Sequence, residues 1–355
     1  SSQHVFGRRS RSHLDTAMEA IGSYLGTRLD QPNGARLIIT SGGTESNHQA
    51  LTGLTDQGLL VLSPIEHPSV LATVKWLEKR GRTLSWLETD QDGLVQLDHL
   101  ERLISADEDN IALVSLMAAN NETGVIQPIS QAAEICQKAG IPLHVDATQT
   151  VGKLPLNLED SGISALTFTA HKFHGPVGVG GLWLAPGVKV EPVFYGGEQQ
   201  LETRPGTEPV ALVVGMAEAL KLAVDEMPHS TEHCGMLRDR LEKGLLQRHP
   251  ELIVQGKIHD RLPGTSSISF LKTDRQSMLM ALDMAGIACS SVSACSSGSS
   301  PPSHVLTAMK RPADEIESTL RFGVSKFSTI EEIDFAIESI CNAYNKLRTK
   351  NRVDN

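Results

Sequence analysis

The sequence has 355 residues, 40% of them hydrophobic and 21% charged, with 32 Lys plus Arg against 42 Asp plus Glu for a formal net charge of −10. That is the balance of a soluble globular protein too long for one core, so two domains are expected, and a negative field of this size argues against general nucleic-acid binding. No apolar run approaches the roughly 20 residues of a bilayer span, so no membrane association is expected. The Arg-bearing first residues lack the apolar stretch of a secretory signal.

Leu14, Ala17, Met18, Ile21 and Leu25 recur at helical spacing and predict a first amphipathic helix. Residues 36–40 read as a buried strand and those from Glu45 as a helix. Further strands are predicted at 59–62, 111–117, 142–146 and 165–169, separated by helices near 68–80, 97–104 and 128–139. This alternation implies an α/β fold with a mostly parallel sheet and helices on its faces. Helices follow at about 208–227 and 230–248. Strands at 266–270 and 319–324 then mix with helices near 275–285 and 329–348. The expected division is a large domain over 1–228 and a smaller α+β domain over 229–355. The Ser- and Pro-rich residues 290–303 read as a mobile loop between elements.

Four segments carry chemistry. Thr40-Ser-Gly-Gly-Thr-Glu45 lies between a strand and a helix, where small residues expose helix-start N–H groups to an anion and Thr44 adds a hydroxyl; a plain capped turn reads equally well. His144-Val-Asp-Ala-Thr-Gln149 sets Asp146 at a strand's carboxyl end, as a partner for a cationic ring nitrogen or as a helix cap. Thr167-Phe-Thr-Ala-His-Lys-Phe-His-Gly-Pro176 ends a strand on Lys172, an amine placed to form a Schiff base. His171 and His174 are spaced H-x-x-H, but the segment is not helical and no Glu lies between them, so no metal is expected.

The fourth segment runs from Cys289 to Ser303. The five cysteines, Cys136, Cys234, Cys289, Cys295 and Cys341, are odd in number and form no C-x-x-C pair, so a reducing, cytoplasmic setting fits better than a disulfide framework. Cys295 sits on polar loop sequence, where a thiolate is exposed and reactive. Cys289 reads as buried in a strand, and Cys136 and Cys341 as core.

In combination and order these segments resemble the cysteine desulfurases, pyridoxal-phosphate (PLP) enzymes of fold type I with a seven-stranded mixed sheet. Ser41-Gly-Gly-Thr-Glu-Ser-Asn47 is similar to the family's phosphate loop, which assigns Gly43 and Thr44 to the cofactor. Glu66-His67 matches the position whose His stacks on the ring, and Asn120-Asn-Glu-Thr-Gly124 the motif whose second Asn, Asn121, contacts cofactor and substrate. The resemblance further implies that Asp146 pairs with the ring nitrogen and Gln149 with the ring hydroxyl. Thr169 and His171 would touch phosphate and Lys172 would hold the cofactor. Arg204-Pro-Gly-Thr207 resembles R-S-G-T, whose Thr, here Thr207, reaches the neighbour's phosphate in a homodimer. Ser293-Ala-Cys-Ser296 places the sulfur acceptor at Cys295, and Thr319-Leu-Arg-Phe322 supplies Arg321 for the substrate carboxylate.

The family normally opens with a strand and an N-[NA]-A-T-T segment ahead of a G-N-P-S-S-x-H motif, inside which this sequence starts. Val292 stands where Gly is usual, and residues 296–303 are as long as in the branch serving iron–sulfur assembly. The activity implied is conversion of L-cysteine to L-alanine, with His67, Lys172 and Cys295 catalytic. The sulfur would go on to an acceptor such as an iron–sulfur scaffold or a tRNA-thiolation relay. Related readings are a selenocysteine lyase or another PLP C–S lyase, and an inactive sulfur-relay partner of the same fold.

Overall fold

The computed structural model describes residues 4–107, 110–291 and 301–353. Its chain divides into two compact units. The first comprises residues 1–88, 95–118 and 127–227, and the second 89–94, 119–126 and 228–355. The short segments 89–94 and 119–126, which the sequence division left in the N-terminal domain, thus belong with the second unit.

The first unit begins with α1 (Val5–Tyr24), whose apolar stripe Leu14, Ala17 and Ile21 is buried. Then come β1 (Arg36–Thr40), α2 (Gly43–Gly53), β2 (Leu59–Leu62), α3 (Pro68–Glu78), β3 (Leu84–Trp86), α4 (Leu97–Asp107), β4 (Ile111–Met117), α5 (Ile129–Lys138), β5 (Leu143–Asp146), β6 (Ala165–Thr169), β7 (Gly180–Leu184) and α6 (Val210–Asp225). The seven strands lie in the order β1-β7-β6-β5-β4-β2-β3. Every pairing is parallel except those of β7, which runs antiparallel to both β1 and β6. β2, β4, β5 and β6 are buried on both faces, so no inside-outside alternation marks them. α1 and α6 pack against each other.

β7 was not legible as a strand, since Gly180-Gly-Leu-Trp-Leu184 follows a Gly-rich turn with no periodicity. Its glycines have a use here. A Cβ on Gly180 would sit 2.8 Å from Gly42 Cα, so only Gly lets β7 pass under the turn that opens α2.

The second unit is built on α7 (Met227–Arg248), β8 (Ile253–Val254), β9 (Thr265–Ser269), α8 (Arg275–Met284), β10 (Ser290–Ser291), α9 (His304–Ala308), α10 (Ala313–Ser318), β11 (Thr319–Gly323) and α11 (Ile330–Val353). Its antiparallel sheet has the order β10-β11-β9-β8. Leu237, Leu241 and Leu245 of α7, Leu282 of α8 and Ile337, Ile340 and Tyr344 of α11 bury against Ile268, Leu320 and Phe322 of the sheet. Cys136, Cys234 and Cys341 are buried. Cys289 is half-buried one residue before β10, and part of the expected 290–303 loop is ordered, as β10 and as the Ser303 cap of α9. Among the described residues no helix is long and apolar enough to cross a membrane.

Candidate active site

The carboxyl ends of β4, β5 and β6 stand side by side in the first unit: Met117 pairs with Asp146, and Asp146 with Thr167. Open α/β sheets bind ligands at such ends. Asp146, 4% exposed, closes β5. Its Oδ2 accepts from Asn47 Nδ2 at 2.7 Å and its Oδ1 from the Thr148 backbone N–H at 3.0 Å. Both oxygens act as acceptors, which is what an ionised carboxylate does. The cap-like turn expected at Asp146 is thus present.

Burial shifts two groups beside Asp146 toward their neutral forms. Burial pushes the Glu66 carboxyl well above the usual range, and the neighbouring Asp146 charge adds to this; Glu66 Oε1 accepts from Met117 N–H at 2.8 Å. His144 bridges Ser115 Oγ (2.8 Å) and Thr167 Oγ1 (3.0 Å) across three strands, and burial pushes it down to about 4, so it is neutral.

One strand over, Thr169 ends β6 and a 3₁₀ turn, Ala170–Phe173, carries His171 and Lys172. Thr169 Oγ1 lies 3.1 Å from His171 Nδ1 and donates to Val179 O at 3.2 Å. Burial lowers the His171 pKa, and the charges of Lys172 and Lys153 act in the same direction. α2 begins after Gly42, at φ 155, with no side chain capping it. A Cβ on Gly42 would lie 3.7 Å from Thr169 Oγ1, and one on Gly43 3.2 Å from Thr148 Oγ1. Uncapped helix N–H groups and two threonine hydroxyls therefore line one small space, a ready seat for a phosphate. Thr44 is exposed at the start of that helix.

Glu45, in the first turn of α2, accepts from Ser41 N–H (2.7 Å) and from Arg204 Nε (2.9 Å). Burial alone would raise its carboxyl, but these bonds hold it below its ordinary value. They fasten the Arg204–Thr207 segment to the phosphate seat while leaving Thr207 exposed. Gln149 is half-buried after β5 and accepts from Lys153 Nζ at 3.3 Å. His67 caps α3.

In the second unit Asn120 Oδ1 accepts from the N–H groups of Glu122 and Thr123, both at 2.9 Å, and Gly124 takes φ 80, folding Asn120-Asn-Glu-Thr-Gly124 into a tight turn. Arg321 Nη1 donates to Asn121 O at 2.6 Å, so the two residues matched to substrate binding are in direct contact. Asn121 Oδ1 is buried with no hydrogen-bond partner among the described residues. Glu122, 2% exposed, accepts from Ser303 Oγ at 2.5 Å.

Burial raises the Glu122 carboxyl to about 7, against the lowering effects of Ser303, Arg321 and Arg275. A carboxyl raised on folding stabilises the fold fully below its unfolded value, and that contribution is lost as pH rises through its folded value. Glu122→Gln should therefore remove about 3 kcal/mol of the difference in unfolding free energy between pH 4.5 and pH 8, read from urea melts at the two pH values.

Cys295, with Ser293 and Ser296 around it, lies outside the described residues. Burial pushes the Cys289 thiol up to about 11, so it is protonated at neutral pH and a poor nucleophile. Motif reading missed Asn47 as the holder of Asp146, Thr148 as a wall of the phosphate seat, and the Glu122–Ser303 pair. Asn47 and Thr148 lie inside quoted motifs, but the partner of Asn47 is 99 residues away.

The chain belongs to the aminotransferase class-V family, whose model matches residues 1–335. It is similar to the cysteine desulfurase IscS of Dictyoglomus turgidum, 37% identical over 98% of this chain and 88% of that one. The cysteine desulfurase NifS of Azotobacter vinelandii is 38% identical over 96% and 84% of the respective chains. Among solved structures, a NifS-like protein from Rickettsia africae aligns with a TM-score of 0.88 at 30% identity, covering 97% of this chain and 91% of that one.

Proposed function

We propose that this protein is a cysteine desulfurase that binds PLP and converts L-cysteine to L-alanine, passing the sulfur to Cys295 as a persulfide. The observation that carries the reading is Asp146, fixed through both oxygens at the end of β5, one strand from the Thr169 and Lys172 turn. The donors present fit the cofactor. The α2 start with Thr169 and His171 suits its phosphate, Asp146 its ring nitrogen, Gln149 its ring hydroxyl, and the Lys172 amine its aldehyde. Bound there, PLP supplies an electron sink for charge developing on the substrate Cα.

The protein's own groups do the rest. Asp146 keeps a positive ring nitrogen protonated. Arg321 and Asn121 receive the substrate carboxylate, and the Lys172 amine takes the Cα proton. The Cys295 thiolate then takes the substrate sulfur. The C–S bond breaks as an S–S bond forms, and L-cysteine plus the thiol gives L-alanine plus the persulfide with no outside oxidant. Thr207, exposed beside Gly206, would serve the second subunit of a homodimer. The sulfur acceptor would be a thiol carrier or iron–sulfur scaffold, and the location cytoplasmic.

The test is an intact mass spectrum after exposure of the cofactor-loaded protein to L-cysteine. One added sulfur on Cys295, with alanine released, is expected. Cys295→Ser should keep the cofactor's colour yet stop alanine release. Undiminished turnover in that variant would point to a C–S lyase that needs no acceptor thiol, and a colourless native protein to an inactive relative.

A further inference from the structure

We propose that Ser69 and Asn47 form a directional hydrogen-bond relay from Asp146 to His67, which holds the His67 ring neutral with its proton on Nε2. His67 is then a fixed hydrogen-bond donor through Nε2, not a base, and Ser69 and Asn47 are positioning residues. The activity arm of this inference rests on the desulfurase reading; its structural arm does not.

Each proton follows from an atom that can act in only one sense. The Ser69 backbone N–H is a donor and lies 3.1 Å from His67 Nδ1, so Nδ1 presents its lone pair. Asn47 Nδ2 lies 2.7 Å from Asp146 Oδ2, and turning the amide over would set its carbonyl oxygen against a carboxylate. The NH₂ group is therefore where it is drawn. Its second hydrogen meets Ser69 Oγ at 2.9 Å. With that oxygen accepting, the single hydroxyl proton goes to His67 Nδ1, 2.8 Å away.

Two features support the direction. Asn47 Oδ1 is buried with no hydrogen-bond partner among the described residues, where the amide is held by its donors. His67 is also the N-cap of α3, with Pro68 behind it, which fixes the ring's backbone. A proton on Nδ1 would face the Ser69 N–H head-on. The ring can give a hydrogen bond from Nε2 to a group developing negative charge, but it cannot collect a proton there without the relay reversing.

The test is nitrogen NMR on the cofactor-loaded protein labelled at histidine nitrogen, with His67→Gln to assign the signals. A pyridine-type Nδ1 and a pyrrole-type Nε2 are expected, unchanged across neutral pH. A pyrrole-type Nδ1 overturns the relay whether or not the protein releases alanine. Ser69→Ala keeps the backbone N–H that fixes the tautomer and removes only the hydroxyl donor, so kcat for L-cysteine should fall about tenfold with KM unchanged and the Nδ1 signal should shift, whereas Ser69→Thr restores both. A Ser69→Ala protein with native kcat and an unshifted Nδ1 signal would also defeat the proposal. Failure of the native protein to form alanine would sink the desulfurase reading and leave the NMR result standing.

Discussion

Lys172→Ala should lose L-cysteine turnover by about 10²–10⁴-fold from the missing proton transfer alone, and more if cofactor retention fails as well. The amine has two tasks in the proposed chemistry, holding the cofactor's aldehyde and moving the Cα proton, and no neighbouring side chain offers a second primary amine on that turn. Lys172 is half-buried on a surface 3₁₀ turn whose fixed points are Thr169, Ala170 and Phe173. Truncation therefore leaves no core cavity, and the melting temperature should stay near that of the native protein. Borohydride reduction followed by peptide mass analysis should find the cofactor's mass on the Lys172 peptide in native protein and not in the variant. Added methylamine should recover part of the activity. Native-like alanine formation by Lys172→Ala would end the assignment.

Arg321→Ala should raise KM for L-cysteine by about 10²-fold, with a smaller effect on kcat. The guanidinium is oriented by its bond to Asn121 O, which uses one of five donors and leaves the others for a carboxylate. Charge-assisted hydrogen bonds contribute about 1.5–3 kcal/mol each, so losing a forked pair amounts to at least that factor. Burial lowers the Arg321 pKa, opposed by Glu122, but a guanidinium stays charged. Arg321→Lys should not restore the native KM, because a point charge cannot reproduce the fork. Cysteamine, which is L-cysteine without its carboxylate, provides the control. Native and variant proteins should handle it equally poorly, and a variant defect of equal size on both compounds would show that Arg321 does not read the carboxylate.

The elements that position this chemistry were visible in the sequence wherever burial is continuous and bounded by turns. The strand predicted at 165–169 agrees with the observed one at both ends, as does that at 111–117. β8 and β10 have two residues each and carry no period to read. β7 hides for a different reason, since its first residues are chosen for closeness to Gly42 and not for strand propensity. The site divides in the same way. Asp146, Lys172 and Arg321 stand in motifs because the chemistry proposed for them needs one residue type at one place. Asn47, Ser69 and Glu122 act through side-chain geometry between distant segments, and only the fold brings such partners together. The Cys289 thiol shows the reverse case, a reactive residue type that packing makes inert.

Burial pushes Glu66 up and His144 down, each toward its neutral form, beside Asp146. Asp146, at 4% exposure, is held by two uncharged donors, the Asn47 amide and the Thr148 backbone N–H. A carboxylate so far from water is costly to hold unless a cation meets it. A ring nitrogen bearing a proton would be such a cation. In the proposed function, one bond between Asp146 and that nitrogen would serve both the cofactor's chemistry and the electrostatics of the fold.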